Sequence, residues 1–492
     1  MELKAALEHP EGPEAYESSL PVHQDGTCNG LQHYAALGGD LAGAKQVNLS
    51  RGERPADVYS GVADLVIKVL DEEAAKGDRL ASILLGKVTR KVVKQTVMTT
   101  VYGVTFIGAK NQVMRQLADR GDVPAEDLFA AASHLAKVIM SCIGNLFSGA
   151  QKIQDWLSFS AKVIAKSIPA QRLEEATRPY TPSEASLKRA DARGFSRDPA
   201  KADRIVKEQM TSVIWTTALG LPVVQPYRKS KKKQVSTAMQ TVFIHDPLSN
   251  SEVSPAKQAS AFPPNFIHSL DATHMILTAL ECHAAGLTFA SVHDSYWTHA
   301  ADIDTMSDMI RETFVRLHSQ DILHRLREEF LQRYAGYKVP VVSLQSATRK
   351  RSRATTTDVA AAGLSSSPNE ALLAMPEDQL AKLQGEMGDV VLASPSQSSA
   401  AESDAEADEG SDELAAGEED LAIEAELGQD VAEAEVPVSK KKPTRKTKMD
   451  KDAEWETKFK AKFVDLADIL PPIPAKGSFD VNEIKGSLYF FS

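Results

Sequence analysis

The segment that decides the fold runs from Leu20 to His33 and reads LPVHQDGTCNGLQH. Its apolar start predicts a short strand that ends at Asp25. Gly26 permits a tight turn, and a helix is expected to begin near Asn29, a good N-cap residue. A carboxylate at a strand end beside a glycine can offer its oxygens and a backbone carbonyl to Mg²⁺. The same pattern is also typical of an ordinary turn in which Asp25 binds nothing.

A second segment, residues 87–103, reads KVTRKVVKQTVMTTVYG and predicts a basic helix that ends near Gly103. At the helical spacing of about 100° per residue, Arg90, Lys94 and Tyr102 share one face. Two cations one turn apart suit a polyphosphate, and an aromatic ring further along can close on a base or sugar. A solvated basic face is the alternative.

A third segment, residues 287–298, reads LTFASVHDSYWT and predicts a hairpin with His293 and Asp294 at its tip. Upstream of it, residues 262–271 (FPPNFIHSLD) are expected to open an apolar helix. His268 on that helix could face a site or be a buried structural histidine.

The charge of the chain is divided between two regions. The 492 residues carry a net charge of −11, yet residues 358–435 alone hold 21 Asp and Glu against a single basic residue, Lys382. The remainder has 55 Lys and Arg against 46 Asp and Glu, a net charge of +9. A basic globular body joined to an acidic segment is therefore expected, and a basic body is compatible with a nucleic-acid partner.

The pattern along the chain predicts a folded body at residues 17–345. Helical spacing covers residues 55–70 and about 128–167, whereas residues 178–203 are polar and indicate a loop or marginal helix. An alternating strand at residues 241–244 leads into a turn at Asp246-Pro247.

Residues 346–455 have too few large apolar side chains to offset their ordering entropy, so a disordered insertion is expected. From Trp455 to Ser492 the chain is apolar again and is expected to return to the core, with Tyr-Phe-Phe docked near its end.

Several classes of protein are disfavoured. The cysteines, Cys28, Cys142 and Cys282, are odd in number and widely spaced, so neither a disulfide framework nor a zinc site is expected. No stretch approaches the ~20 apolar residues of a membrane span. The first residues contain acidic side chains without an Arg-rich amphipathic face, so no signal or transit peptide is expected in this chain.

Taken together and in this order, the motifs closely resemble those of the single-subunit RNA polymerases of bacteriophage and mitochondrial type. They are DGTCNGLQH from Asp25, RxxxK followed by seven residues and YG from Arg90, PNFIHS from Pro264, and HDS from His293. Each motif is short, and their joint occurrence makes the resemblance specific. The residues within the motifs and the terminal Ser492 resemble sequences of the mitochondrial branch more than those of the phage branch.

The resemblance implies a role for each matching residue. Asp25 and Asp294 would hold two Mg²⁺ ions, to which Gly26 would lend its backbone carbonyl. Arg90 and Lys94 would bind the triphosphate, and Lys94 would protonate the departing pyrophosphate.

The remaining matching residues would select and support the substrate. Tyr102 and His268 would sense the 2′-hydroxyl and so favour ribonucleotides, and His293 would support the site beside Asp294. A hairpin at about residues 234–253 would lie where this family reads promoter bases, although its sequence is too divergent for base contacts to be assigned.

The implied fold is α+β and mostly helical, with the palm and fingers of a right-hand polymerase and a small antiparallel palm sheet. The expected regions are palm at 1–55 and 256–345, fingers with the specificity hairpin at 56–255, the disordered acidic insertion at 346–455, and a C-terminal palm or foot segment at 456–492. The implied partners are a DNA template, the RNA product, ribonucleoside triphosphates and mitochondrial transcription initiation factors, in the mitochondrial matrix.

About 20 residues precede the first motif, where the family places an N-terminal domain, promoter-melting elements and a thumb. The resemblance therefore implies roughly the catalytic half of such an enzyme, a fragment or an incomplete gene product. We expect this chain to lack promoter-dependent transcription, and initiation on a duplex promoter by the purified protein would contradict that expectation.

Two other functions remain open at this point. A related palm-and-fingers DNA polymerase shares the RxxxK helix, but it usually carries Glu after His-Asp, where Ser295 stands here. A non-catalytic nucleic-acid-binding or interaction protein organised around the acidic insertion is the other.

Overall fold

The computed structural model describes residues 2–177, 211–229, 232–237, 239–245, 251–341 and 448–491. The expectations for residues 178–203, for the turn at Asp246-Pro247 and for most of the acidic insertion lie outside these ranges. The chain divides into two compact units, residues 1–344 with 462–492, and residues 345–461.

The first unit is mostly helical. Its helices are α1 (Glu2–Leu7), α2 (Asn29–Gly38), α3 (Leu41–Gln46), α4 (Val58–Ala75), α5 (Arg79–Leu84), α6 (Arg90–Thr100), α7 (Phe106–Arg120), α8 (Leu128–Leu146), α9 (Ser148–Lys166), α10 (Ala170–Thr177), α11 (Pro255–Ala284), α12 (Ile303–His318) and α13 (Ile322–Arg333). The second unit contains α14 (Lys448–Lys460), and α15 (Leu466–Ile469) lies in the closing part of the first unit.

The strands are short and pair antiparallel. They are β1 (Val22–Asp25), β2 (Ile214–Thr216), β3 (Pro222–Val224), β4 (Lys232–Ser236), β5 (Thr241–His245), β6 (Ala290–Val292), β7 (Ser295–Thr298), β8 (Lys338–Pro340) and β9 (Phe463–Asp465). One sheet has three strands in the order β1-β7-β6, and the others are the pairs β2–β3, β4–β5 and β8–β9. The expected α+β class with small antiparallel sheets is therefore confirmed.

The long helices form the core, and His274 on α11 lies beside Tyr296 of the three-stranded sheet. Helix α11 packs along α9 and α12, and α2 packs against both α9 and α11. Phe262 and Phe266 on α11 are buried together with Phe314 on α12, so apolar burial fixes these helices around the first motif.

Two helix boundaries differ from expectation. Helix α11 begins at Pro255 rather than near Phe262, because the Ser254 side chain caps its first turn by accepting from the Lys257 amide. Pro263 and Pro264 lie inside this helix. The helical run at 128–167 is two helices, α8 and α9, which meet at the buried Phe147.

Helix α14 also corrects an expectation, since it begins at Lys448, inside the segment expected to be disordered up to residue 455. Strand β9 pairs with β8, and Phe490 and Phe491 are buried, so the return of the closing segment to the core and the docking of its aromatic end are confirmed.

Helix α8 differs from the expectation about membrane spans. Among the described residues it is long and apolar enough to cross a bilayer by length and composition. The core helix of a soluble protein passes the same test, and eight residues of α8 are buried in the structure.

Candidate active site

The two aspartates of the outer motifs lie at the same end of the three-stranded sheet. Asp25 is the last residue of β1 and pairs in register with Ser295, the first residue of β7. The Ser295 hydroxyl donates to Asp25 Oδ1 at 2.8 Å, and the Gly26 amide donates to the Asp294 carbonyl at 3.1 Å. The hairpin between β6 and β7, with His293 and Asp294 at its tip, thus brings together two carboxylates that are 269 positions apart in sequence.

Asp25 is exposed and Asp294 is partly buried, and the environment they share is negatively charged. Burial raises the pKa of Asp294, and the charge of Asp25 raises it further. Burial likewise raises the pKa of a third carboxyl group, Asp271, to about 6, with an additional contribution from Asp294. Like charges this close in a partly desolvated site favour a bound cation.

These donors fit Mg²⁺. Within the described ranges no group of three or more His, Cys, Asp or Glu side chains has the arrangement of a complete metal site. Mg²⁺ needs no such cage, because it is commonly held by one or two carboxylates and completed by water and substrate phosphates. Asp25 and Asp294 supply that pair of hard oxygen donors, and the Gly26 carbonyl lies beside them in sequence.

The basic helix α6 presents its two cations over one aromatic ring. The Arg90 guanidinium lies 4.9 Å from the centroid of the Tyr59 ring, and Lys94 Nζ lies 5.8 Å from it. Arg90 also donates through Nε to Asp57 Oδ2 at 2.6 Å. Asp57 caps α4 by accepting from the Tyr59 amide, so the start of α4 fixes the positions of Asp57 and Tyr59. These two residues and the two cations they contact are called the phosphate shelf.

Sequence reasoning missed Asp57 and Tyr59. The cap signal of Asp57 before an apolar helix was available in the sequence, but its contact with α6 depends on a tertiary approach that no local pattern encodes.

Tyr102 and His268, to which the resemblance gives a shared role, lie together with ring centroids 5.1 Å apart. Tyr102 lies beyond the end of α6, which stops at Thr100, so it does not continue the helical face of Arg90 and Lys94. Tyr102 is 51% exposed and can meet a ligand. Burial lowers the pKa of His268, and the nearby His293 lowers it further while Asp294 raises it.

The turn between β1 and α2 has a different cap from the one expected. Cys28, not Asn29, is the cap residue, and it adopts a left-handed conformation with φ of 58° and makes no side-chain capping bond. Asn29 is the first residue of the helix, and its side chain donates to Asp271 Oδ1 on α11. Asp271 was also missed, although it stands three residues after His268 and so shares its helix face.

The C-terminal aromatic residues pack against residues 25–28, the turn between β1 and α2, which we call the metal turn. Phe491 forms an isolated bridge with Gly26 and stacks on Tyr296 with ring centroids 5.3 Å apart. Gln32 on α2 donates to the Phe490 carbonyl at 3.0 Å. Phe490 and Phe491 therefore pack against the residues that follow Asp25 and Asp294 in sequence.

The predicted hairpin near residues 234–253 is present as β4 and β5, which pair antiparallel in the described part of the chain. Val242, Phe243 and Ile244 on β5 are exposed, so this hairpin presents apolar side chains to its surroundings.

Comparisons with known proteins identify the family of this chain. The family described as DNA-dependent RNA polymerase matches residues 1–492, and the chain belongs to that family. It is 50% identical over 343 residues to the mitochondrial DNA-directed RNA polymerase of Neurospora crassa, covering 68% of this chain and 24% of that protein.

Two further relatives show how much of each protein the match covers. The chain is 47% identical over 326 residues to the mitochondrial DNA-directed RNA polymerase of Schizosaccharomyces pombe, covering 66% of this chain and 26% of that protein. It is 43% identical to DNA-directed RNA polymerase 2A of Nicotiana tabacum over 335 residues, covering 67% of this chain and 88% of the relative. The chain thus spans about a quarter of the length of the two fungal relatives, and the resemblance drawn from the motifs is confirmed.

Proposed function

We propose that this chain is the catalytic portion of a mitochondrial DNA-directed RNA polymerase, which transfers ribonucleotides to an RNA 3′-hydroxyl on a DNA template. The observation that carries the proposal is the meeting of the Asp25 and Asp294 motifs at one end of the β1–β7 pair. The two cations of α6, Arg90 and Lys94, lie over one tyrosine ring and are suited to a triphosphate. Family membership supports the reaction, and the mitochondrial names of the fungal relatives support the compartment.

The proposal assigns the architecture as follows. Residues 1–55 and 256–345 form the palm, residues 56–255 the fingers with the specificity hairpin, and residues 456–492 the C-terminal palm or foot segment. The sheet that joins β1 to the β6–β7 hairpin supports the palm assignment, because it unites the two carboxylate motifs. Residues 346–455 form the acidic insertion.

Asp25 and Asp294 would hold two Mg²⁺ ions, which when bound would supply activation of the attacking 3′-hydroxyl and stabilisation of the departing pyrophosphate. The protein holds and orients everything around them. Asp25 is oriented by the Ser295 hydroxyl, and the Asp294 carbonyl by the Gly26 amide, so both carboxylates are held by the β1–β7 pair. The partial burial of Asp294 strengthens its attraction to a cation.

The triphosphate is bound by Arg90 and Lys94. Arg90 is held by Asp57 and the ring of Tyr59, which leaves the rest of its guanidinium available for phosphate oxygens. Lys94 donates a proton to the pyrophosphate as it leaves.

Tyr102 and His268 select the sugar. Their rings lie together and both feel the charge of Asp294, so a hydroxyl on the 2′ carbon could be read by the His268 ring nitrogen or the Tyr102 hydroxyl. His293 stands beside Asp294 and lowers the pKa of that carboxyl group, which supports its ionised form.

The partners follow from the reaction. They are a DNA template, the RNA product, ribonucleoside triphosphates and mitochondrial transcription initiation factors. The net charge of +9 outside the acidic segment supports contact with a nucleic-acid duplex.

A primed-template assay tests this function. The 492-residue chain is given an RNA primer annealed to a DNA template, Mg²⁺, and either ribonucleotides or deoxyribonucleotides, with Asp294→Ala as control. The proposal expects Mg²⁺-dependent extension with ribonucleotides that Asp294→Ala abolishes. Preference for deoxyribonucleotides would identify a DNA polymerase, and nucleic-acid binding without extension would identify a non-catalytic binding protein.

A further inference from the structure

A buried hydrogen bond joins the metal turn to the helix that carries His268. Asn29, which is 5% exposed, is the first residue of α2, directly after the turn that begins at Asp25. Its side-chain amide donates to Asp271 Oδ1 on α11. Asp271 follows His268 by three residues, so it lies one helical turn along the same face of α11.

The Asn29 side chain makes a single hydrogen bond among the described residues. Cys28 provides no side-chain cap, and the buried Asn29 Oδ1 has no hydrogen-bond partner among the described residues. The Asn29 side chain is therefore oriented by its donation to Asp271. A charged acceptor makes this bond stronger than an ordinary amide pair.

We propose that Asp271 is a positioning residue, which holds the metal turn at a fixed distance from the His268–Tyr102 pair and so maintains discrimination between ribonucleotides and deoxyribonucleotides. This inference rests on the proposed function. The reasoning is geometric: the metal carboxylates fix the triphosphate and sugar, whereas His268 on α11 reads the sugar. A displacement of α11 from the turn by about 1 Å is enough to cost roughly a hundredfold in a well-aligned reaction.

Substitutions at Asp271 separate position from charge. Asp271→Ala removes the acceptor, and we expect the ratio of ribonucleotide to deoxyribonucleotide kcat/KM to fall by about tenfold or more. Asp271→Asn keeps an oxygen that can accept from Asn29 but removes the charge, and we expect it to retain the wild-type ratio within about twofold. Equal loss in both variants would show that the charge, not the position, matters and would overturn the proposal.

A matched control comes from the same helix. Thr278 lies two turns further along α11, and its hydroxyl is 2.9 Å from that of Thr313 on α12. Thr278→Val removes a buried hydrogen bond between α11 and α12, two helical turns away from Asp271. We expect it to alter thermal stability while leaving the discrimination ratio unchanged, and a fall in the ratio equal to that of Asp271→Ala would overturn the proposal.

Hydrogen exchange tests the same contact without catalysis. The amides of Leu31 and Gln32 donate to the Cys28 carbonyl and report the order of the first turn of α2. Asp271→Ala is expected to speed exchange in peptides covering residues 26–33, and Asp271→Asn is not. Unchanged exchange in Asp271→Ala would overturn the inference. Failure of the wild-type chain to extend a primer would instead refute the proposed function, and the exchange result would still decide the positioning.

Discussion

The contact between the chain end and the metal turn gives a sharp prediction for Phe491→Ala. Phe491 is 2% exposed, stacks on Tyr296, and contacts Phe490 with ring centroids 4.9 Å apart. Truncating a buried phenylalanine to alanine costs about 3–5 kcal/mol, through lost transfer free energy and the cavity left behind. We therefore expect the free energy of unfolding to fall by about that amount.

The same substitution should weaken metal binding. Phe491 bridges Gly26 and underlies the strand that follows Asp294, so its removal loosens the turn that orients both carboxylates. We expect the Mg²⁺ concentration for half-maximal primer extension to rise. Urea denaturation followed by circular dichroism and a Mg²⁺ titration of extension measure the two effects.

Leu488→Ala is the matched control, because Leu488 belongs to the same segment but is 72% exposed. Its effect on the free energy of unfolding should stay within about 0.5 kcal/mol. If Phe491→Ala destabilises the protein no more than Leu488→Ala, or leaves the Mg²⁺ requirement unchanged, the supporting role assigned to the chain end is refuted.

Three further substitutions, one of them with a matched control, test the core, the phosphate shelf and the metal turn. Burial lowers the pKa of His318 to about 3, whereas its value in the unfolded chain is near 6.5. The unfolded state therefore takes up a proton first, and the free energy of unfolding falls as the pH drops below about 6.5. The gap in unfolding free energy between wild type and His318→Asn should therefore narrow by about 1.4 kcal/mol from pH 7.5 to 5.5, and a constant gap would contradict this. Tyr59→Leu removes the ring beneath both cations and should raise the KM for ribonucleotides by roughly tenfold. Phe129→Leu is the control, because it removes a ring that lies beneath Lys110 on α7, and it should leave that KM unchanged. Equal KM values in the two variants would refute the role assigned to the phosphate shelf. Gly26→Ala places a Cβ 3.2 Å from a buried phenyl ring and should cost about 1–3 kcal/mol of stability, so an unchanged urea midpoint would contradict that packing.

Local chemistry made much of the fold and site predictable. Strand, turn and helix follow one another around Asp25, and the hairpin places Asp294 at its tip, because turn chemistry and apolar alternation act over a few residues. The aromatic chain end docks because exposing two phenylalanines would be costly. The roles of individual residues were predicted from the resemblance of the motifs to a known family, and not from their geometry.

The features that were missed depend on distant contacts. Asn29 appeared to be a cap, but its side chain turns toward Asp271, 242 positions away, and leaves Cys28 as the cap. The break at Phe147 between α8 and α9 likewise follows from tertiary packing, since its ring lies close against Gly43. Sequence periodicity continues through both positions and cannot reveal such approaches.

The most direct measurement concerns the metal site formed by Asp25 and Asp294. Mn²⁺, a paramagnetic substitute for Mg²⁺, can be titrated into the protein with a bound nucleotide and counted by electron paramagnetic resonance. If the two carboxylates form one site, Asp25→Asn and Asp294→Asn should each weaken Mn²⁺ binding by at least about tenfold and abolish primer extension. Wild-type Mn²⁺ affinity in either variant would contradict the shared site.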